Sequence, residues 1–124
     1  MSDRARLVRL GAIAMVLGVA LGAFGAHGLQ SRLTPDFLAI YETGVRYHLV
    51  HGLAVFVAAW LVGQDTTRSA YVAGVLFIVG IVLFAGSLYL LALTGVRALG
   101  AVTPLGGLAW IAAWILIAGR VRLR

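Results

Sequence analysis

Three histidines and the charged residues near them are the side chains whose types and spacing could support chemistry. His48 and His51 are three residues apart, so both imidazoles share one face if the segment is helical. Glu42 and Arg46 are four residues apart, a spacing at which opposite charges pair on a helix. Together with one histidine and one arginine from elsewhere in the chain they form a candidate polar cluster, which consists of His27, Glu42, Arg46, His48, His51 and Arg97.

The most specific chemistry open to this set is a divalent metal held by His27, His48 and His51, because imidazole is a common zinc ligand. The chain has no cysteine, no HExxH-type spacing and no further acid that stands out as a ligand. Simpler interpretations are that His27 closes a helix, that His48 and His51 donate hydrogen bonds between helices, and that Glu42 and Arg46 are a structural pair. Haem held by two histidines is a weaker alternative. We predict no cofactor and no metal, and keep the three histidines as weak metal candidates.

Catalytic arrangements of other kinds are missing from the sequence. There is no Ser–His–Asp set, no pair of acids at catalytic spacing and no phosphate-binding glycine loop. A route for ions across a membrane needs polar groups at several depths, and the chain after Ser69 has Arg97 as its only charged residue until Arg120. The sequence therefore predicts a protein that is neither an enzyme nor, as a monomer, a transporter.

The composition shows which elements must position these residues. Of 124 residues, 62% are hydrophobic, a further 16 are glycine and 11% are charged, and the mean hydropathy is +1.03. A soluble chain of this size leaves much of its surface in water and could not cover so much apolar side chain. Soluble enzymes, disordered tails and soluble nucleic-acid binders are excluded, and we expect the lipid bilayer rather than nucleic acid to be the partner of this basic chain.

Four uncharged runs have lengths suited to helices in a bilayer. They comprise 17, 17, 28 and 22 residues and begin at Leu10, Tyr47, Ser69 and Ala98. Backbone groups in lipid must pair within their own segment, and the alternation typical of barrel strands is absent. The sequence predicts an all-α integral membrane protein, a compact four-transmembrane-helix bundle that forms one domain over residues 1–124. The predicted spans cover residues 7–27, 45–63, 69–95 and 103–120.

Arginine counts predict the orientation. With four spans, seven arginines lie on the side of the two termini and three lie on the other side. The excess of positive charge places both termini in the cytoplasm. An alternative is that the first apolar run is a signal peptide cleaved near Ala23-Phe24-Gly25. The run is longer than is usual for a signal peptide, and we expect it to stay as a span.

Two threonine-proline pairs indicate helix starts. Thr34-Pro35 combines a cap with proline at the first helical position, and it predicts a short amphipathic interfacial helix over residues 34–44 between the first and second spans. This helix either runs on into the second span or bends at Gly44. Thr103-Pro104 indicates a similar start for the fourth span, with Leu99–Val102 as a non-helical lead or with a kink at the proline.

Small residues recur on helix faces and predict close helix packing. The first span contains a GxxxG pair, Gly18 and Gly22. The main interpretation is packing within one chain, and a homodimer seam on the first helix is the alternative. Trp110 and Trp114 share a face of the fourth span and are expected to pack against lipid or core. The predicted packing residues are Gly11, Gly18, Gly22, Gly25, Gly86, Ser87, Gly106 and Gly107.

Four ordered segments carry a family resemblance: Gly22–Leu29 (GAFGAHGL), Tyr41–His48 (YETGVRYH) followed by His51, Gly86–Gly95 (GSLYLLALTG) and Thr103–Gly107 (TPLGG). In this order the chain resembles the YgdD/YwdK-like small membrane protein family, which is related to the transmembrane protein 256 family. The resemblance spans nearly the whole chain. It implies a bacterial inner-membrane protein of about four spans with no established biochemical activity. In the family pattern glutamine is common where His48 stands, which implies that this histidine is not a ligand throughout the family.

Two functional hypotheses follow. The first is a non-enzymatic scaffold or accessory subunit that packs through glycine-rich helix faces, as a homo-oligomer or with another membrane protein. The second is binding of a metal, a lipid headgroup or a small ligand at the candidate polar cluster on the outer side.

Overall fold

The computed structural model describes all residues from Met1 to Arg124. Four helical segments are long and apolar enough to cross a membrane, and they confirm the predicted all-α, four-helix membrane fold. The segments are Asp3–His27, Pro35–Val62, Ser69–Thr94 and Arg97–Gly119.

Helix α1 (Asp3–His27) begins and ends at polar or small residues. The Ser2 hydroxyl oxygen accepts a hydrogen bond from the Ala5 backbone N–H at 3.1 Å. At the other end the Gly28 N–H donates to the Phe24 carbonyl oxygen at 2.7 Å. The helix begins four residues before the predicted span at residue 7, because Ser2 satisfies one of the free N–H groups of its first turn.

Helix α2 (Pro35–Val62) begins at the predicted threonine-proline pair. The Thr34 hydroxyl oxygen accepts from the Phe37 N–H at 3.4 Å, and Pro35 occupies the first helical turn. Of the two forms expected for the interfacial helix over residues 34–44, the structure has the first: it is the opening part of α2 and runs on into the second span. Gly44 is a packing position, since a Cβ there would lie 3.0 Å from the Tyr89 ring.

The third span is not a uniform α-helix. Helix α3 (Ser69–Gly80) continues into one π-helical turn (Ile81–Ala85) and then into helix α4 (Gly86–Thr94). Helix α4 stops at Gly95, whose φ of +74° is left-handed and favours glycine. Apolar periodicity shows no sign of the π-helical turn, which inserts one extra residue without changing polarity.

The fourth span begins with a tighter helix than expected. A 3₁₀ segment (Arg97–Ala101) precedes helix α5 (Thr103–Gly119), and Pro104 lies in the first turn of α5. The prediction of a non-helical lead over Leu99–Val102 is therefore wrong for most of its length. The 3₁₀ form suits this short segment because it closes its hydrogen bonds within three residues.

Helix α2 lies at the centre of the bundle, between α1 and the third span, while α5 packs on the outside of the third span. Two apolar clusters fill the interior. One includes Leu7, Val55 and Phe77, all with no exposed surface, and the other surrounds the buried ring of Tyr41.

The glycines of α1 face α2. A Cβ added at Gly18 would lie 2.8 Å from Leu49 Cδ2, and one added at Gly25 would lie 2.5 Å from Tyr41 Cε1. Gly11 and Gly22 likewise meet side chains of α2. The face proposed as an alternative homodimer seam is thus covered within the chain.

The predicted packing residues of the third and fourth spans behave differently from one another. Gly106 lies so close to the Phe84 backbone that a Cβ would overlap it, and the Ser87 and Thr103 hydroxyl oxygens are 2.6 Å apart. A Cβ added at Gly86 would have no neighbour within 4 Å, and one added at Gly107 would have a single neighbour at 3.9 Å. The expectation of close packing is therefore wrong at Gly86 and Gly107, where a side chain would find open space or ordinary contact.

Candidate functional site

His48 joins three helices inside the membrane. Its Nε2 lies 2.7 Å from the Ala14 carbonyl oxygen of α1, and its Nδ1 lies 2.8 Å from the Tyr89 hydroxyl of α4. A carbonyl can only accept, so Nε2 carries the proton. In a neutral imidazole the other nitrogen, Nδ1, then has no proton and accepts from the tyrosine hydroxyl. The imidazole is buried, with 3% of the residue exposed. The result is a directed chain in which Tyr89 donates to His48 and His48 donates to Ala14.

Gly18 allows this contact with the backbone of α1. It is the residue one helical turn after Ala14, and a Cβ there would lie 3.3 Å from His48 Nε2. Without a side chain at this position the imidazole can lie against the helix and reach the Ala14 carbonyl.

The same arrangement occurs seven residues away. The Tyr41 hydroxyl donates to the Leu21 carbonyl oxygen at 2.5 Å, and its ring lies against Gly25, one turn after Leu21. Tyr41 and His48 are seven residues apart on α2, as are Leu21 and Ala14 on α1. Two helical turns therefore separate two equivalent contacts, as expected where antiparallel helices pack with a seven-residue period.

A third, apolar contact continues this repeat. Val55, seven residues after His48, has no exposed surface. It packs against Gly11, where an added Cβ would lie 3.2 Å from Val55 Cγ1. Leu7, one turn before Gly11, is also fully buried. The interface between α1 and α2 thus repeats every seven residues, with polar contacts at Tyr41 and His48 and an apolar contact at Val55.

His51 has a different environment, formed by side chains of α3 and α5. Its Nδ1 lies 2.9 Å from the Tyr47 carbonyl oxygen, and the Trp114 Nε1–H donates to its Nε2 at 3.3 Å. The ring stacks on Trp110 with centroids 3.8 Å apart and planes 4° apart. The Trp110 Nε1–H in turn donates to the Phe77 carbonyl oxygen at 3.0 Å. By the reasoning used for His48, the proton of His51 is on Nδ1.

The three histidines do not form a metal site. His48 and His51 have both ring nitrogens engaged and face different helices, although they are three residues apart. His27 is exposed at the end of α1. The chain contains no group of three or more His, Cys, Asp or Glu side chains placed to hold a metal ion. The weak metal assignment to His27, His48 and His51 is therefore corrected. His48 and His51 are close along the helix, but their rings contact different neighbouring helices.

The charged residues at the end of the bundle opposite the termini do not converge either. Glu42 and Arg46 form no ion pair, since the two ion pairs of the chain both involve Asp3. Instead both line a cleft of about 160 Å³ between α1 and α2, beside Tyr41. The Arg97 guanidinium lies over the Phe37 ring at 5.2 Å from its centroid. The six residues of the predicted cluster are thus dispersed into a cleft, a cation–π contact, two separate histidine sites and the exposed His27.

Asp65 is a buried acid that the sequence did not single out. Its carboxylate accepts from the backbone N–H groups of Thr67, Ala70 and Arg122, each at 2.9 Å, and from the Thr67 hydroxyl. Burial by itself raises the pKa of this carboxyl, but the hydrogen bonds from Ala70, Arg122 and Thr67 outweigh it and hold the pKa at about 2. Its position a few residues before a helix start could have indicated a capping role in the sequence. Its contact with Arg122 was not predictable from spacing.

Asp65 thereby anchors the C-terminal tail to the loop between the second and third spans. Two more backbone bonds cross the same junction, from Thr66 N–H to the Arg122 carbonyl oxygen at 2.8 Å and from Arg124 N–H to that of Gln64 at 3.0 Å. The N-terminus joins them through an ion pair of 3.2 Å between Asp3 and Arg68. Both termini and this loop therefore lie at one end of the bundle.

Comparison with known proteins agrees with this architecture. A family model described as a protein of unknown function, DUF423, matches residues 21–107. The chain is 50% identical over 109 residues to the UPF0382 membrane protein YwdK of Bacillus subtilis, with 87% of this chain and 89% of that protein covered. It is 44% identical over 108 residues to a UPF0382 membrane protein of Staphylococcus haemolyticus, with 87% and 88% covered.

No solved structure matches the chain. The matched segment contains Tyr41, His48 and Tyr89. The Ala14 carbonyl that His48 contacts lies before this segment, and Trp114, which donates to His51, lies after it. The family resemblance inferred from the four sequence segments is confirmed. The chain is a multi-pass membrane protein and belongs to the DUF423 family of proteins of unknown function, whose relatives are named UPF0382 membrane proteins.

Proposed function

We propose that this protein is a non-enzymatic scaffold or accessory subunit of the bacterial cytoplasmic membrane, with both termini in the cytoplasm. The proposal rests on one observation: the polar side chains within the spans form hydrogen bonds to other residues of the chain. His48 and His51 each engage both ring nitrogens with other residues of the chain, and Tyr41 and Tyr89 each bond to a neighbouring helix. Groups committed in this way bind the helices to one another.

The outward faces supply the surface that such a subunit would offer. On α5, Leu108, Ile111 and Ile115 expose 60%, 56% and 63% of their surface. On α1, Val16 and Val19 expose 68% and 61%. These apolar faces contact lipid where no partner covers them, and close packing drives helix association in membranes.

Site-specific photo-crosslinking in intact cells tests this function. A diazirine side chain is placed in turn at Ile111, Ile115, Val16 and Val19, and a fifth variant carries it at Ser31, in an exposed loop outside the spans. A scaffold or accessory subunit gives a discrete protein adduct from one membrane face and none from Ser31. Adducts with lipid alone at all four membrane positions would contradict the proposal.

The proposed orientation has two supports. Seven arginines belong to the end that carries the termini and three to the other end. The hydrogen bonds at Asp65 and the ion pair between Asp3 and Arg68 hold both termini beside the same loop. Because both termini lie at the same end, the excess of arginine at that end orients them together.

A second candidate function is binding of a small zwitterionic ligand or lipid headgroup in the outer cleft. This is the cleft of about 160 Å³ between α1 and α2, and Glu42 and Arg46 favour the candidate because they line it with opposite charges and do not pair with each other. A molecule with one positive and one negative group would satisfy both.

Thermal unfolding in detergent with added glycerophosphoethanolamine tests this candidate. Binding raises the Tm of the wild-type chain and of the control Asp36→Asn, which removes an exposed acid from the start of α2. The Glu42→Gln and Arg46→Gln variants lose the rise. An unchanged wild-type Tm at millimolar ligand would exclude this candidate.

A further inference from the structure

We propose that the end of the bundle that carries the termini binds the phosphate group of an anionic phospholipid through Arg6 and Arg9. The two arginines line a cleft of about 250 Å³ between the start of α1 and the start of α3. Met1, Leu10 and Tyr71 complete its lining. This site lies at the opposite end from the cleft of Glu42 and Arg46, and it does not depend on the proposed function.

The positive charge of this cleft is not neutralised within the chain. Asp3 is the one acid beside it, and its carboxylate lies 3.2 Å from Arg68 and 3.6 Å from Arg6. Arg68 also lies over the Tyr71 ring, 4.9 Å from its centroid. Arg9 makes no ion pair and no side-chain hydrogen bond. Three guanidinium groups thus have one carboxylate between them, which leaves a net positive site.

Asp65, the other acid at this end, cannot supply the missing negative charge. Its carboxylate already accepts hydrogen bonds from three backbone N–H groups and a hydroxyl. Guanidinium groups bind phosphate oxygens in a two-pronged geometry and are weakly hydrated, so an anionic phosphate is the partner that this pair fits.

The surface below the arginines selects a lipid over a free phosphate. Leu10 lies in the cleft, and Ile13 and Leu17 follow it at helical spacing on α1. These three side chains expose 40%, 57% and 52% of their surface. An acyl chain can lie along this strip while its phosphate meets Arg6 and Arg9, whereas inorganic phosphate leaves the apolar strip unused.

A general attraction of basic ends to anionic membranes makes a different prediction from a built site. Diffuse attraction depends on the number of charges, so any arginine at this end contributes equally. A built site depends on position. Arg124 is the matched control, because it is exposed at the same end and its structural contact is made by its backbone N–H.

The experiment measures lipid binding to the purified full chain in neutral detergent by native mass spectrometry. Phosphatidylglycerol, phosphatidylcholine and glycerol 1-phosphate are titrated separately, the last also as a competitor. The variants are Arg9→Gln, Arg6→Gln and the control Arg124→Gln, which all remove one charge. Thermal unfolding without lipid confirms that each variant is folded, and Arg6→Gln gives a second test if Arg9→Gln is not.

We expect phosphatidylglycerol to bind more tightly than phosphatidylcholine and each cleft variant to weaken it about fivefold, as for loss of one basic group near an anionic lipid. Arg124→Gln leaves the affinity within about twofold of wild type, and glycerol 1-phosphate does not compete. Equal losses in all three variants would show diffuse attraction and overturn the proposal. Competition by glycerol 1-phosphate at equal concentration would reassign the site to free phosphate and overturn it too.

Discussion

The Tyr89 hydroxyl lies 2.8 Å from His48 Nδ1, so the second and third spans share a hydrogen bond within the membrane. The other nitrogen of the same ring reaches the first span at the Ala14 carbonyl, 2.7 Å away. One imidazole thus connects three spans. A neutral ring with its proton on Nε2 can make both bonds, so the connection needs no net charge in the bilayer.

Removing one bond to this ring should have a small effect and removing the ring a large one. Tyr89→Phe loses one hydrogen bond and should lower the free energy of unfolding by about 1 kcal/mol, within the range measured between membrane helices. His48→Ala loses both bonds and leaves a cavity, at a cost of about 2–4 kcal/mol. Unfolding by sodium dodecyl sulfate in mixed micelles measures both. Equal effects for the two variants would show that the ring adds nothing beyond its bond to Tyr89 and does not hold the first span.

The close approach of Tyr41 to Gly25 makes Gly25→Ala destabilising. A Cβ at Gly25 would lie 2.5 Å from Tyr41 Cε1, and the ring is held by its bond to the Leu21 carbonyl. Overpacking of this kind costs about 1–3 kcal/mol. Gly86→Ala is the control, since it adds the same methyl where no atom lies within 4 Å, and it should leave stability unchanged or raise it by up to about 1 kcal/mol. The same unfolding assay compares them, and a neutral Gly25→Ala would refute the tight contact.

The lowered pKa of Asp65 allows a prediction of how the C-terminal tail responds to pH. Its pKa in the folded chain is about 2, below the ordinary value of 3.8. A lowered pKa means that its contribution to stability is complete above the ordinary value and is lost as pH falls through about 2. The Arg122 amide proton resonance in micelles should therefore stay constant from pH 7 to about 4 and shift with a midpoint near 2. Asp65→Asn should shift this resonance at pH 7, and a midpoint near 3.8 in the wild type would mean that the carboxylate is not held.

The absence of cysteine makes the orientation directly measurable. Single cysteines at Ser2 and Arg124 report on the end with the termini, and single cysteines at Ser31 and Ala98 report on the other end; all four positions are exposed. In intact cells an impermeant maleimide should label positions 31 and 98, and it should label positions 2 and 124 only after the membrane is opened. The reverse pattern would overturn the proposed orientation.

Much of the fold was predictable because it follows from local properties of the chain. Apolar length determined the four spans, and Thr34-Pro35 determined the start of α2 through a cap that needs no distant partner. The π-helical turn at Ile81–Ala85 was not predictable, since it changes neither polarity nor length enough to be seen in the sequence.

The candidate site was harder to predict because its partners are distant in sequence. Spacing alone put His48 and His51 on one face, but it could not show that Ala14 and Tyr89 engage one ring and Trp114 the other. The spacing of Glu42 and Arg46 likewise favours a pair that the structure does not form. Side-chain direction in a membrane bundle depends on which helix lies opposite, and that is a property of tertiary packing.

Nitrogen-15 NMR of the imidazoles in lipid bilayers tests whether the membrane-embedded histidines are structural. We expect two neutral rings of opposite tautomer, with His48 protonated on Nε2 and His51 on Nδ1, and neither signal changed by added Zn²⁺. His48→Gln and His51→Gln, made separately, assign the two signals. Rapidly exchanging tautomers, or Zn²⁺-induced shifts at either ring, would show instead that these nitrogens are free to bind a ligand.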